Sequence, residues 1–291
     1  MFAMRAASSI GLVSPGRGVL KSSPRCSKTH IPKRPEHHRN RNRFVPKSAD
    51  FDLDALMPDS IEGDLEGLQE EAGANFDEDG VPLDYGDVAL ELETLKGKVG
   101  VVDRGAEKYK LLRLTGPAAV PALTEAGASM DSIESLLTLG PNQGKSIAFS
   151  EGKVATCYVQ SGGLLVIAPA SVADALLQSA GDDCMDLAEQ CSFLSLVGPE
   201  AGALLQKAGV AGVMDSDVGT HQTFGFEGRP VVAINGGGEL FQSTDATENK
   251  KNQVANLVVD EGVAGLLWAA MTNLGAEPVG TTALEKWVEE K

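Results

Sequence analysis

The chain is short of the residue types that most catalysis needs. Of its four His, three (His30, His37 and His38) fall near the N-terminus, so His221 is the one imidazole of the remaining sequence. A lone His cannot make a two-histidine metal site, and no Gly-x-Ser-x-Gly elbow offers a nucleophile to pair with it. Cysteine is equally sparse. Cys26, Cys157, Cys184 and Cys191 contain no Cys-x-x-Cys pair, which excludes the common zinc and iron–sulfur clamps and leaves small buried hydrophobes as their reading. No run approaches the eighteen apolar residues of a helical membrane span. Residues 48–95 hold sixteen acids and no Lys or Arg.

What is present is unevenly placed. Residues 1–47 carry eleven Lys or Arg against one acid, Glu36. Ser, Pro and Arg dominate there, without a compact apolar run, so 1–47 reads as an organellar transit peptide. A nucleic-acid arm built on His37–Arg43 is the rival reading, disfavoured because an acidic body would repel phosphates. Composition alone does not separate plastid from mitochondrion. Residues 48–84 read as an acidic, partly disordered linker. A short amphipathic helix around Phe51, Leu53, Leu56 and Met57 would be marginal on its own. The spacing of Asp77, Asp79 and Gly80 does not supply the ligand set of a calcium loop.

The body carries an internal repeat. Leu112–Gly127 recurs as Leu194–Gly209, with half of the sixteen residues unchanged. Alternating Leu gives a half-buried strand, Gly-Pro turns it into a short apolar helix, and Gly ends that helix. Looser copies run from Leu164 to Gly181 and from Leu257 to Gly275. Four strand–turn–helix units in two related halves, about 85–190 and 191–291, follow from this. Asp103-Arg104 closes the apolar strand from Val99 and is accounted for by a local ion pair. Asn235–Glu239 is a glycine-rich turn without the spacing of a phosphate loop.

Taken together, these segments resemble the YgfZ-type branch of the glycine-cleavage T-protein (aminomethyltransferase) superfamily, in particular its plastid members. Four stretches carry the resemblance. Tyr85-Gly86-Asp87 leads into Gly100–Asp103, Leu112–Leu123 resembles the family's strand–turn–helix opening, and Gly219–Pro230 is similar to a Gly-x-His-Gln segment. Leu274–Gly280 with Ala283–Lys286 resembles the last helix exit. There are departures too. The family's Thr-x-Asn stretch reads Ala128-Ser129-Met130-Asp131, and its Pro-x-Gly-Arg turn reads Ser150-Glu151-Gly152-Lys153. No Lys-Gly-Cys-Tyr signature occurs before Lys291, so the expectation is a chain without the family's small C-terminal barrel.

The resemblance implies an α+β fold of two ferredoxin-like halves with mostly antiparallel sheets. A doubly wound parallel sheet is disfavoured because strands such as Lys110–Leu114 keep charged positions. It also implies a tetrahydrofolate-binding protein, non-catalytic, that assists iron–sulfur cluster assembly proteins in the chloroplast, or alternatively the mitochondrion. A pterin needs an apolar slot and a carboxylate accepting its neighbouring N–H donors. Asp131 and Glu239 are the candidate carboxylates, with His221 lining the same cavity. Aminomethyl transfer to tetrahydrofolate, and a scaffold that has lost the ligand, are the competing expectations.

Overall fold

The computed structural model describes residues 64–105, 109–236 and 253–291, all within the compact unit of residues 47–291. In chain order, α1 (Leu65–Glu71) leads to a small hairpin, β1 (Asn75–Phe76) and β2 (Pro82–Asp84), then α2 (Val88–Gly97) and β3 (Gly100–Asp103). Next come β4 (Tyr109–Thr115), α3 (Ala119–Glu125), α4 (Met130–Leu137), β5 (Gly144–Ala148), β6 (Val154–Gln160), β7 (Gly163–Pro169), α5 (Ala170–Ala180) and β8 (Cys184–Asp186). The chain continues through β9 (Cys191–Val197), α6 (Ala201–Lys207), β10 (His221–Phe226), β11 (Arg229–Asn235) and β12 (Val254–Asp260). It then forms α7 (Glu261–Asn273), β13 (Glu277–Pro278) and α8 (Thr281–Glu289).

The sequence repeat becomes a repeat of topology. One sheet has the order β5-β6-β7-β4-β8 and the other β10-β11-β12-β9-β3-β13. All pairings within them are antiparallel except β13 with β3. The first sheet follows β-α-β-β-α-β order with β5 added at its edge, which is a ferredoxin-like half. Register is preserved as well: Leu112 faces Val166 as Leu194 faces Leu257, the equivalent residues of the two copies. The second sheet completes itself differently. The place beside β9 is taken by β3, from upstream, so Tyr109–Asp186 is an insertion between two paired strands. The two sheets therefore do not follow a division at residue 190.

Each sheet is buried on both faces. Leu112, Leu114, Val166 and Ala168 pack under α3, α4 and α5, and Leu194, Leu257, Val259 and Ala264 form the core under α6 and α7. The opposite faces meet each other through Leu111, Tyr158, Ile167, Phe193, Ile234 and Val258. Burial of each such large side chain contributes on the order of 2 kcal/mol. The rest of the second sheet's inner face is covered by α2 and α8, through Leu95, Val102, Val197 and Trp287. Two-sided burial explains near-continuous apolar strands such as Val254–Asp260, a pattern otherwise associated with parallel sheets. Here antiparallel strands adopt it because helices cover one face and a second sheet covers the other.

Residues 64–84, which composition assigns to a partly disordered linker, are built into the fold. Leu65 and Leu68 of α1 pack on the core beneath α7. The acids of this segment are structural acceptors. Asp64 caps α1 through Gly67 N at 2.9 Å, and Asp77 Oδ1 accepts from Asp79 N and Val81 N at 2.9 and 2.8 Å. Asp87 caps α2 through Ala89 N and Leu90 N. Side-chain acceptors of this kind satisfy helix-start and turn N–H groups that would otherwise lack partners. The buried carboxylate of Glu91 ties two distant stretches together, accepting from Tyr85 N at 2.7 Å and Gly280 N at 2.8 Å. The Phe51–Met57 helix expectation lies outside the described residues.

The duplicated turn glycines, Gly116 and Gly198, both have positive φ, but their surroundings differ. A Cβ on Gly198 would meet the Lys98 carbonyl oxygen at 2.2 Å, whereas one on Gly116 meets nothing closer than Asp183 Oδ1 at 3.4 Å. Gly116→Ala is expected to cost about 1–2 kcal/mol for its φ alone, and Gly198→Ala about 2–4 kcal/mol because backbone must also move. Urea unfolding of the two variants would check this; equal costs would contradict it.

Candidate functional site

A cavity of about 400 Å³ opens at the end of β3 and the starts of β4 and β9, near α1 and the start of α7. Its apolar lining comes from Leu65, Val81, Leu111 and Phe193, and its polar lining includes Gln69, Asp103, Ser192 and Glu261. That volume lies within the usual range for small-molecule sites. The wall is firmly set, because Leu111 and Phe193 also belong to the core between the sheets.

Asp103 is the inner carboxylate. Gln69 Nε2, on a side chain only 1% exposed, donates to Oδ2 at 3.0 Å, and Gly105 N donates to Oδ1 at 3.0 Å. These bonds leave one acceptor direction on each oxygen. Burial raises the Asp103 pKa above its ordinary value, with the nearby Glu261 charge adding to the rise, while the two hydrogen bonds oppose it. The Tyr85 hydroxyl is pushed up by burial first, then by the charges of Asp103 and Glu91. Next in sequence, the buried Arg104 places its guanidinium 4.7 Å from the Tyr109 ring centre and 5.5 Å from that of Phe193. Arg104 thus stacks on rings, while Gln69 and Gly105 hold the Asp103 oxygens. Ser192 Oγ donates to Glu261 Oε2 at the opposite wall. The Cys191 thiol, also lining the cavity, is raised chiefly by burial, then by Asp260 and Glu261.

The two halves treat the equivalent Asp differently. Asp103 faces Leu194 as Asp186 faces Leu112, and each accepts from the backbone N–H two residues on, Gly105 and Ala188. Asp186 has Lys110 Nζ 3.9 Å from its carboxylate and lies among exposed charges. Asp103 instead faces a cavity of mixed apolar and acidic lining and accepts from the Gln69 amide. One copy of the position is therefore a surface turn, and the other is a chemically distinct carboxyl group.

Of the residues chosen from sequence, neither Asp131 nor His221 lines this cavity, and Glu239 lies outside the described residues. Asp131 is exposed in the first turn of α4, a helix capped by Ser129, with Met130 exposed beside it. His221 is 3% exposed and meets the Tyr158 ring edge-on at 5.7 Å between centroids. Among the described residues, neither imidazole nitrogen has a partner at hydrogen-bond geometry. Burial lowers its pKa, partly opposed by the Gly219 backbone nearby. Helix α4 packs over the outer core and the Tyr158 ring belongs to the inner one, so Asp131 and His221 serve opposite faces of the first sheet. Among the described residues no group of three or more His, Cys, Asp or Glu is placed to hold a metal ion, and no helix is long and apolar enough to cross a membrane. The repeat carried no signal for Asp103, because the offset that takes Leu112 to Leu194 takes Asp103 to Met185; only strand pairing sets Asp103 and Asp186 at matching places.

No protein-family model and no curated protein sequence matches the chain. Among solved structures, the glycine cleavage system aminomethyltransferase T from Bartonella henselae superposes with a TM-score of 0.59 at 22% identity, over 77% of this chain and 60% of that one. A heterotetrameric sarcosine oxidase from Corynebacterium sp. U-96, in complex with pyrrole 2-carboxylate, aligns at a TM-score of 0.38 and 15% identity, over 69% of this chain and 93% of that one. The chain thus has the α+β fold of the aminomethyltransferase, with mostly antiparallel sheets, and spans about 60% of that protein's length.

Two pH effects follow. For His221, the unfolded chain takes up a proton near pH 6.5 while the folded imidazole resists it, so stability falls as pH drops below 6.5 toward the depressed folded pKa. His221→Phe is expected to remove that acid sensitivity, measured by urea unfolding at pH 5 and 7. For Asp103 the sign is opposite. Its raised folded pKa contributes stability that is full below pH 3.8 and is lost as pH rises through the folded value. Asp103→Asn should flatten this decline above pH 4 in the same measurement.

Proposed function

We propose that the chain is a tetrahydrofolate-type pterin-binding protein whose pocket is the cavity at Asp103. The observation that carries this reading is a cavity-lining carboxylate whose two oxygens each accept one hydrogen bond, from Gln69 and Gly105, set beside the Phe193 and Leu111 wall. The pterin edge presents two adjacent N–H donors, which match a carboxylate's paired acceptors. Its flat ring suits a slot of apolar and aromatic side chains. Support also comes from the fold, which is that of an aminomethyltransferase of the glycine cleavage system. In this proposal Asp103 takes the place that sequence reasoning gave to Asp131 or Glu239.

The wider role we propose is that of the YgfZ-type branch: non-catalytic assistance to iron–sulfur protein maturation in the chloroplast, with the mitochondrion as the alternative compartment. The basic, acid-poor 1–47 segment and the motif resemblance support it. A second reading, aminomethyl transfer, is favoured by one specific observation. A carboxyl group whose pKa is raised by burial is what general acid–base chemistry at a reacting nitrogen requires.

Isothermal calorimetry of the full chain with tetrahydrofolate tests the proposal. Saturable binding is expected below about 1 mM, a loss of about tenfold or more in Asp103→Asn, and no change beyond about twofold in Asp131→Asn. Absence of heat with the unmodified chain at that concentration rejects pterin binding. Turnover of an aminomethyl donor that disappears in Asp103→Asn would select the enzymatic reading.

A further inference from the structure

The mouth of the Asp103 cavity carries charge of one sign. Glu66, Asp79, Glu189 and Glu261 line it as exposed carboxylates, and its described lining residues include no Lys, Arg or His. These four acids come from α1, the β1–β2 turn, the segment after β8 and the start of α7, so folding gathers them from distant parts of the chain. A cleft with low-dielectric walls and charges of one sign concentrates its field at the opening.

A folate has two parts with opposite demands on such a site. Its pterin head is uncharged and donor-rich, and the Asp103 carboxylate accepts what it offers. Its glutamyl tail carries two carboxylates, and each further glutamate adds one more, all of which would sit at or beyond the acidic mouth. Resting on the pterin-binding reading, we infer that this pocket selects the unconjugated reduced pterin over glutamylated folates, through repulsion between the tail and the carboxylates of Glu66, Asp79, Glu189 and Glu261. The cavity of about 400 Å³ has room for the head without calling on the tail for affinity. The inference therefore concerns which form of the ligand this chain retains.

Calorimetry of the full chain with 6-methyltetrahydropterin, tetrahydrofolate and tetrahydrofolate triglutamate, each at 50 and 500 mM NaCl, tests it. At low salt, affinity is expected to fall in that order, by about three- to tenfold per ligand, and the differences should shrink to about twofold or less at high salt, where the Debye length drops to about 4–5 Å. A Glu66→Gln, Glu189→Gln double variant should narrow the low-salt gap between pterin and triglutamate. Equal or tighter binding of the triglutamate at low salt overturns the inference while leaving pterin binding intact. So does a gap that persists at 500 mM NaCl. Failure of all three ligands to bind removes the pterin reading itself, and the inference with it.

Discussion

Everything else in this molecule follows from two antiparallel sheets that press on each other face to face. Leu111, Tyr158, Ile167, Phe193, Ile234 and Val258 form that contact, and helices close the outer faces. Strands in such a stack must be apolar on both sides, and any polar group trapped between the layers must be paired. The structure meets this second condition locally. Ser195 Oγ donates to Asn256 Oδ1 at 2.7 Å, Asn256 Nδ2 donates to Gly236 O at 3.1 Å, and Arg104 lies over two aromatic rings. His221 is buried against Tyr158, and among the described residues its nitrogens meet no partner at hydrogen-bond geometry. The cavity opens at the starts of β4 and β9, beside α1.

Duplication gave the two halves one plan, and divergence gave them different uses. Register between the central strands is the same in both, yet the strand completing each sheet comes from a different part of the chain. In one half β8 follows its helix directly. In the other, β3 was laid down before the first half began, so the second sheet cannot form until the inserted sheet's chain has been traversed. Non-local pairing of this kind costs loop-closure entropy before it is rewarded. Asp residues at matching places then sit at the ends of β3 and β8, one in the cavity and held by Gln69, the other beside a Lys. The chemistry of the candidate site arises from this asymmetry.

The acidic N-terminal part of the fold shows how composition misleads when charge serves structure. Few aromatics and many acids between residues 48 and 84 match the signature of an unfolded linker. From residue 64 on, however, the acids are spent on caps and turns, one at a time, by Asp64, Asp77, Asp84 and Asp87. Short helices and hairpins tolerate such a composition when a few apolar residues, here Leu65, Leu68 and Val81, dock on an existing core. Burial of this type depends on a surface formed elsewhere in the chain.

Local patterns were legible because their physics is local. The Leu-x-Leu alternation with Gly-Pro marked β4, β9 and the helices after them, the repeat predicted two related halves, and the family resemblance implied their mostly antiparallel sheets. Asp103 and Arg104 looked like a simple ion pair, since nothing nearby in sequence announces Gln69, Tyr109 or Phe193 as their partners. His221 was conspicuous as the sole imidazole of the body and as part of the Gly219–Pro230 segment, and the fold buries it against Tyr158. Sequence by itself therefore determined the strand–helix units, their duplication and the acidity that would have to be distributed. Only the tertiary structure decided which acid became a caged carboxyl group, because desolvation and pairing are set by side chains that meet across the fold, not along the chain.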